Sequence, residues 1–189
     1  MTLPLVKYPW DGPDNLFWDD LRFPAQGISL LGVTSPPTTD TTGLPGSLLF
    51  ADAALNSICG IAQMPHSWAE GTEIRPHIHW TKTSAAAGDV VWQFSYAIAN
   101  AGDVFPAYSA LDTATVAVST ADTDKLQGLS TFAPIDMTDK RVSCIIMWAL
   151  LRAGTDGADT YAAAARLLEF DIHYQINRFG SPDEFPSQA

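Results

Sequence analysis

From Leu48 onward the apolar positions fall into short runs separated by turn signals, the pattern of a chain built from strands. Val90, Trp92, Phe94 and Tyr96 alternate with Val91, Gln93 and Ser95. Successive side chains of a strand point to opposite faces, so one face of this segment meets a core. Leu168, Phe170, Ile172 and Tyr174 alternate in the same way with Glu169, Asp171, His173 and Gln175, which sets His173 on a polar face beside two carboxylates. In the run from Pro65 to Trp80, His77 and His79 share one face while Ile78 and Trp80 share the other. These patterns predict strands over 48–51, 56–64, 73–82, 89–99, 113–119, 142–152 and 163–176. Gly102-Asp103, Asp122-Thr123-Asp124 and Gly154-Thr155-Asp156-Gly157 mark loops. Two segments pull toward helix: the alanines of Tyr161 to Leu168 by propensity, and residues 121–129 as a short turn of helix. The strand count still predicts an all-β chain, a jelly-roll-like antiparallel β-sandwich.

Residues 1–47 differ. Pro4, Pro9, Pro13, Pro24, Pro36, Pro37 and Pro45 interrupt any regular ladder, yet Tyr8, Trp10, Phe17, Trp18 and Phe23 make the segment too aromatic for a disordered tail. An extended N-terminal arm that docks its aromatics fits both facts, and Trp10, Phe17, Trp18 and Phe23 are its expected contact residues. The expected organisation is an arm over 1–47, a sandwich domain over 48–177 and a C-terminal tail over 178–189.

Composition narrows the function classes. The 189 residues suit one domain, and 47% hydrophobic content supplies a dry core without disulfide staples. Cys59 and Cys144 both lie in apolar runs and read as core thiols, with a disulfide as the other possibility. With 21 acidic against 10 basic residues the formal charge is −11, which repels phosphate backbones and argues against direct nucleic-acid binding. No run approaches the roughly 18 apolar residues of a membrane span. Met1 to Lys7 lacks the charged start and apolar body of a secretory signal, so the expectation is a soluble protein made in a cytoplasm.

Candidate chemistry centres on the histidines. Two imidazoles on one strand face can grip a metal, and His77, His79 and His173 would form a three-histidine site, with Glu169 or Asp171 as an added oxygen ligand. The same residues serve equally well as an inert sheet surface. Asp156 and Asp159 lie in a glycine-bearing loop that suits calcium in part, but a plain hairpin turn explains it more simply. Asp19-Asp20 and Asp183-Glu184 read as solvated acids. Neither a glycine-flanked serine elbow nor a phosphate-cradling glycine loop occurs. The reading is therefore a non-enzyme without a cofactor.

Two resemblances bear on this. Gly71 followed by His77-Ile78-His79, and His173 followed by Asn177, is similar to fragments of the two cupin motifs. The glutamate of the first motif and the Pro-x-Gly turn of the second are missing, and the resemblance implies a metal-dependent enzyme only as an alternative. A broader one runs through Trp18 to Ile28, Pro65 to Trp80, Val90 to Tyr96 and Leu167 to Tyr174. There the chain resembles small virion proteins of tailed phages and prophages, with a His-x-His-Trp strand, a Trp-x-x-x-Tyr strand and a final Asp-x-His-Tyr. That resemblance implies a structural protein on the outer capsid surface, a decoration or cement protein made in the host bacterial cytoplasm. Its partners would be its own copies, as dimer or trimer, and the major capsid protein or other virion proteins. In this picture His66, His77, His79 and His173 sit where subunits meet. A head-fibre or tail module that binds carbohydrate is a further alternative.

Overall fold

The computed structural model describes residues 16–30, 33–120, 124–177 and 179–180. Its strands are β1 (Phe17–Pro24), β2 (Thr38–Thr39), β3 (Leu48–Phe50), β4 (Ser57–Gln63), β5 (Arg75–Lys82), β6 (Gly88–Ala99), β7 (Asp112–Val118), β8 (Gln127–Thr131), β9 (Ile145–Arg152) and β10 (Ala165–Ile176), with a 3-10 turn at Ala25–Gly27. All pairings are antiparallel. One sheet runs β4-β9-β6-β7, and the other runs β2-β3-β10-β5-β8 with β1 also paired to β10. The predicted all-β, jelly-roll-like sandwich is the observed one. Among the described residues no helix is long and apolar enough to cross a membrane.

The core forms where the inner faces meet. Trp80 and Trp92 contact edge to face at 5.9 Å, and Trp148 lies 4.5 Å from Phe170. These large rings supply area that small aliphatic side chains would not. Gly60 lies opposite Trp148 in the β4–β9 ladder, and a Cβ there would meet Trp148 Cζ2 at 2.4 Å. Its hydrogen makes room for the indole.

The structure departs from the sequence-based expectations at several elements. Ala165 to Leu168 is strand, because Ala165, Arg166 and Leu167 pair with both β3 and β5; ladder pairing and burial override alanine's helix propensity. Residues 127–131, partly expected as helix, form β8 along β5. A register shift between Leu167 and Glu169 puts Leu167 in the core and leaves Leu168 only half-buried. The bulge inserts a residue and flips the alternation at that point. Cys144 is buried as expected, but Cys59 points outward from β4 between buried Ile58 and Ala62; both thiols are free.

Within the segment expected as an arm, Phe17–Pro24 pairs with β10 from Glu169 to Ile176, and Thr38–Thr39 pairs with β3. Residues 1–15, including Trp10, lie outside the described residues, as do most of 178–189. Strand β10 is the hub. At twelve residues it is long enough to hold β3 and then β1 along one side while β5 occupies the other.

Candidate functional site

Period 2 and antiparallel register together decide which polar side chains meet. On β5, Ile78 and Trp80 turn into the core, which sends His77 and His79 to the outer face. On β10, Phe170 and Ile172 turn inward, which sends Asp171 and His173 outward. Register then sets His77 opposite Asp171 and His173 opposite Asp20 of β1. Three adjacent strands thus deliver five titratable side chains to one spot.

Asp171 is at its centre. His77 Nε2 stands 2.5 Å from Asp171 Oδ1, and His79 Nε2 stands 3.6 Å from Oδ2. His173 Nε2 lies 3.0 Å from Asp20 Oδ1. The rings of His77 and His173 are 4.1 Å apart, and those of His77 and His79 5.2 Å. Both His77 and Asp171 are buried, at 3% and 4% exposure. The ligand atoms of His77, His79 and Asp171 all lie within 4.8 Å of one another, as do those of Asp20, Asp171 and His173.

The second nitrogen of each β5 imidazole is also engaged. Nδ1 of His77 faces the Arg75 carbonyl at 3.4 Å, a long contact in which only the ring can donate. Nδ1 of His79 meets the Gln127 amide of β8 at 2.6 Å. Burial alone pulls the His77 imidazole down, but the Asp171 carboxylate outweighs it and holds the ring above its ordinary 6.5. The short contact is nevertheless not aligned as a hydrogen bond, because Asp171 Oδ1 accepts none. That oxygen is thus close to an imidazole nitrogen yet without a directed bond.

Neighbours close the site. Arg22 donates from Nε and Nη2 to the two oxygens of Glu169 at 2.7 and 2.9 Å. The Tyr174 hydroxyl donates to Asp19 at 2.8 Å, and burial together with that carboxylate pushes the phenol up to about 12. Asp19 and Asp20, read from sequence as solvated acids, therefore both have partners on β10. A shallow cleft lined by Asp20, Arg22, His79, Gln127, Glu169 and Asp171 opens to solvent beside the cluster.

The predicted site residues divide. His77, His79 and His173 do converge, but around a carboxylate. His77 is buried in its own sheet, so it is not offered to a neighbouring subunit as expected. His66 lies elsewhere, with Nε2 2.9 Å from Ser143 Oγ. Of the aromatics, Phe23 packs on its own domain, 5.0 Å from Trp148 and 5.6 Å from Phe170. Phe17 and Trp18 are 48% and 44% exposed, with the Arg75 guanidinium 4.8 Å over the Trp18 ring. The loop after Gly154 carries no free calcium ligand pair: Asp159 is committed to Arg152 and Asp156 accepts from Ala158 N–H. It links the two sheets, β9 to β10, and is not a hairpin.

By sequence Asp171 was an optional ligand and Asp20 a solvated acid, and Gln127 was not singled out. The alternation of Asp171 with His173 was the available signal for the first. The other two needed the pairings of β1 and β8.

No family model and no curated protein matches the chain. Among solved structures it is similar to the CBM35 of Cellvibrio japonicus Abf62, at 11% identity and a TM-score of 0.47, over 84% of this chain and 99% of that one. A likeness of this degree says nothing about what the chain binds.

Proposed function

We propose that this chain is a structural subunit of a tailed-phage particle, a decoration protein of the outer capsid surface that associates with its own copies and with the major capsid protein. The observation that supports it best is the β6–β7 loop, where Val104, Phe105, Tyr108 and Leu111 are all exposed, Val104 at 92%. A loop bearing four large apolar side chains in water is a docking element, because burying them against a partner returns free energy that an isolated domain forgoes. Leu16, Phe17 and Trp18 at the start of β1 present a second such group. The motif likeness of residues 16–176 to small virion proteins supports the location. An interface of standard size buries about 1,600 Å² in total, and the two groups provide apolar anchors for one.

The test has two parts. Particles purified from the virus or prophage that carries the gene should contain this chain in many copies by mass spectrometry. The full-length protein should be a dimer or trimer by light scattering, and replacing Val104, Phe105, Tyr108 and Leu111 together with serine should lower its oligomeric state or its attachment to the particle while circular dichroism stays unchanged. Particles lacking the chain would overturn the reading.

A further inference from the structure

The unsatisfied oxygen of Asp171 carries a second inference, independent of the assembly reading. A buried carboxylate normally accepts several hydrogen bonds, since desolvating an unpaired one costs several kcal/mol. Asp171 Oδ1 accepts none, although His77 Nε2 is 2.5 Å away. The two other unpartnered buried side-chain atoms among the described residues are the indole nitrogens of Trp92 and Trp148, which face the apolar core. Asp171 is different in kind: its oxygen faces imidazole nitrogens.

The far-side contacts of the rings show how a ligand could satisfy that oxygen once the imidazoles are neutral. Because the Arg75 carbonyl can only accept, a neutral His77 that bonds to it carries its proton on Nδ1 and turns the Nε2 lone pair toward Asp171. His79 follows if the Gln127 amide, whose NH₂ now faces Nδ1, makes a half-turn and presents Oε1. Two lone pairs and a carboxylate then converge on one point. A cation between them turns that repulsion into coordination, and ring nitrogens held by carbonyls on their far side are the usual support for imidazole ligands.

We propose that His77 Nε2, His79 Nε2 and an Asp171 oxygen bind a divalent first-row transition-metal ion of the zinc class, with Asp20 and His173 beside it. Two imidazoles favour such an ion over calcium or magnesium, which take oxygen donors. Zinc bonds of about 2.0–2.1 Å place tetrahedral ligand atoms about 3.3 Å apart. His79 Nε2 is already near that spacing from Asp171 Oδ2, at 3.6 Å, while His77 faces the other oxygen of the same carboxylate. His77 and Asp171, at 2.5 Å, open by less than about 1 Å to admit the ion. Three protein ligands leave a position toward the cleft for water or for a donor from a partner. The ion joins β5 to β10, the strand that also holds β1.

The full chain, purified without an affinity tag and dialysed against a chelator, is titrated with zinc, calcium and magnesium chlorides. The expected result is one zinc per chain with a raised melting temperature, and no comparable effect of calcium or magnesium. His79→Gln, at a ring that is 27% exposed, and Asp171→Asn should each weaken zinc binding at least about ten-fold. His66→Gln, outside the cluster, should bind as the parent does. The His79 variant decides the matter however Asp171→Asn folds. Absence of zinc binding, equal binding of calcium, or an equal loss in His66→Gln would overturn the assignment, and each is measured on the isolated protein without reference to any particle.

Discussion

The buried acid–base clusters around Arg152 and around Asp171 are built on opposite principles. At the end of β9, Arg152 is fully buried and every donor is used: Nε and Nη2 bond both oxygens of Asp159, Nη1 bonds the carbonyls of Phe50 and Ala163, and Nη2 also bonds that of Tyr161. Asp159 Oδ2 further accepts from the Val91 N–H. On the outer face of β10, Asp171 holds two imidazoles close and accepts no hydrogen bond on Oδ1. A saturated buried pair has finished its work once the chain is folded, because nothing remains for a ligand to satisfy. An unsaturated one stores an unmet demand, and that demand is what makes the β5–β10 cluster a candidate site and the β9 cluster a structural rivet.

The contrast has graded consequences. The largest effect belongs to Arg152→Ala, which strands a buried carboxylate and three backbone carbonyls; denaturant unfolding should show a loss of about 3–5 kcal/mol. A loss below 1 kcal/mol would mean the cluster is no rivet. An intermediate effect is expected at Asp40, whose carboxylate accepts the N–H groups of Leu44, Gly43 and Thr42 and a 2.6 Å bond from Arg166. Those amides, with Arg166, hold its pKa well below the ordinary 3.8. Since the folded value is depressed, the stability it contributes is present above about pH 4 and falls away as the pH drops through the acid range. Asp40→Asn should thus be less stable than the parent at pH 7, with the difference shrinking toward pH 2 in urea titrations; a constant difference would refute this.

Smaller still is Asp171→Asn in metal-free protein. Removing a charge whose oxygen makes no hydrogen bond should cost under about 1 kcal/mol, far less than Arg152→Ala, and a loss as large as that of Arg152→Ala would erase the distinction between the two clusters. Thiol labelling perturbs least. A maleimide probe should modify Cys59 rapidly in the native state and leave Cys144, whose thiol burial pushes up to about 11, untouched until unfolding. Equal rates would mean that the core around Cys144 opens readily.

Much of the architecture was legible in advance because a half-buried strand writes its own period. Val90 to Tyr96 and His77 to Trp80 point as the alternation said they would, with Trp80, Val90, Trp92 and Phe94 in the core. The same rule sends Ile146, Trp148, Leu150 and then Arg152 inward, so the burial of Arg152 was implicit in the pattern. Apart from the alanine run and bulge of β10, the misreadings sit at edges. Strand β8, Gln127–Thr131, is short and polar, as edge strands are, and so carried little signal. Strand β1 begins beside the proline-rich segment and ends on Pro24, a residue tolerated at a strand end but easily taken for an extended arm.

Alone, then, the sequence determined the class of fold, the inward faces of the central strands and the presence of histidines and acids on the outer face of β5 and β10, because those follow from local periodicity. Only the tertiary structure decided that Asp171, and no third histidine, stands between His77 and His79, that Asp20 reaches His173, and that Phe23 belongs to its own core. Those outcomes depend on the register between strands far apart in the chain and on the bulge after Leu167. Register is set by long-range pairing and by the packing of whole faces, which no local pattern encodes.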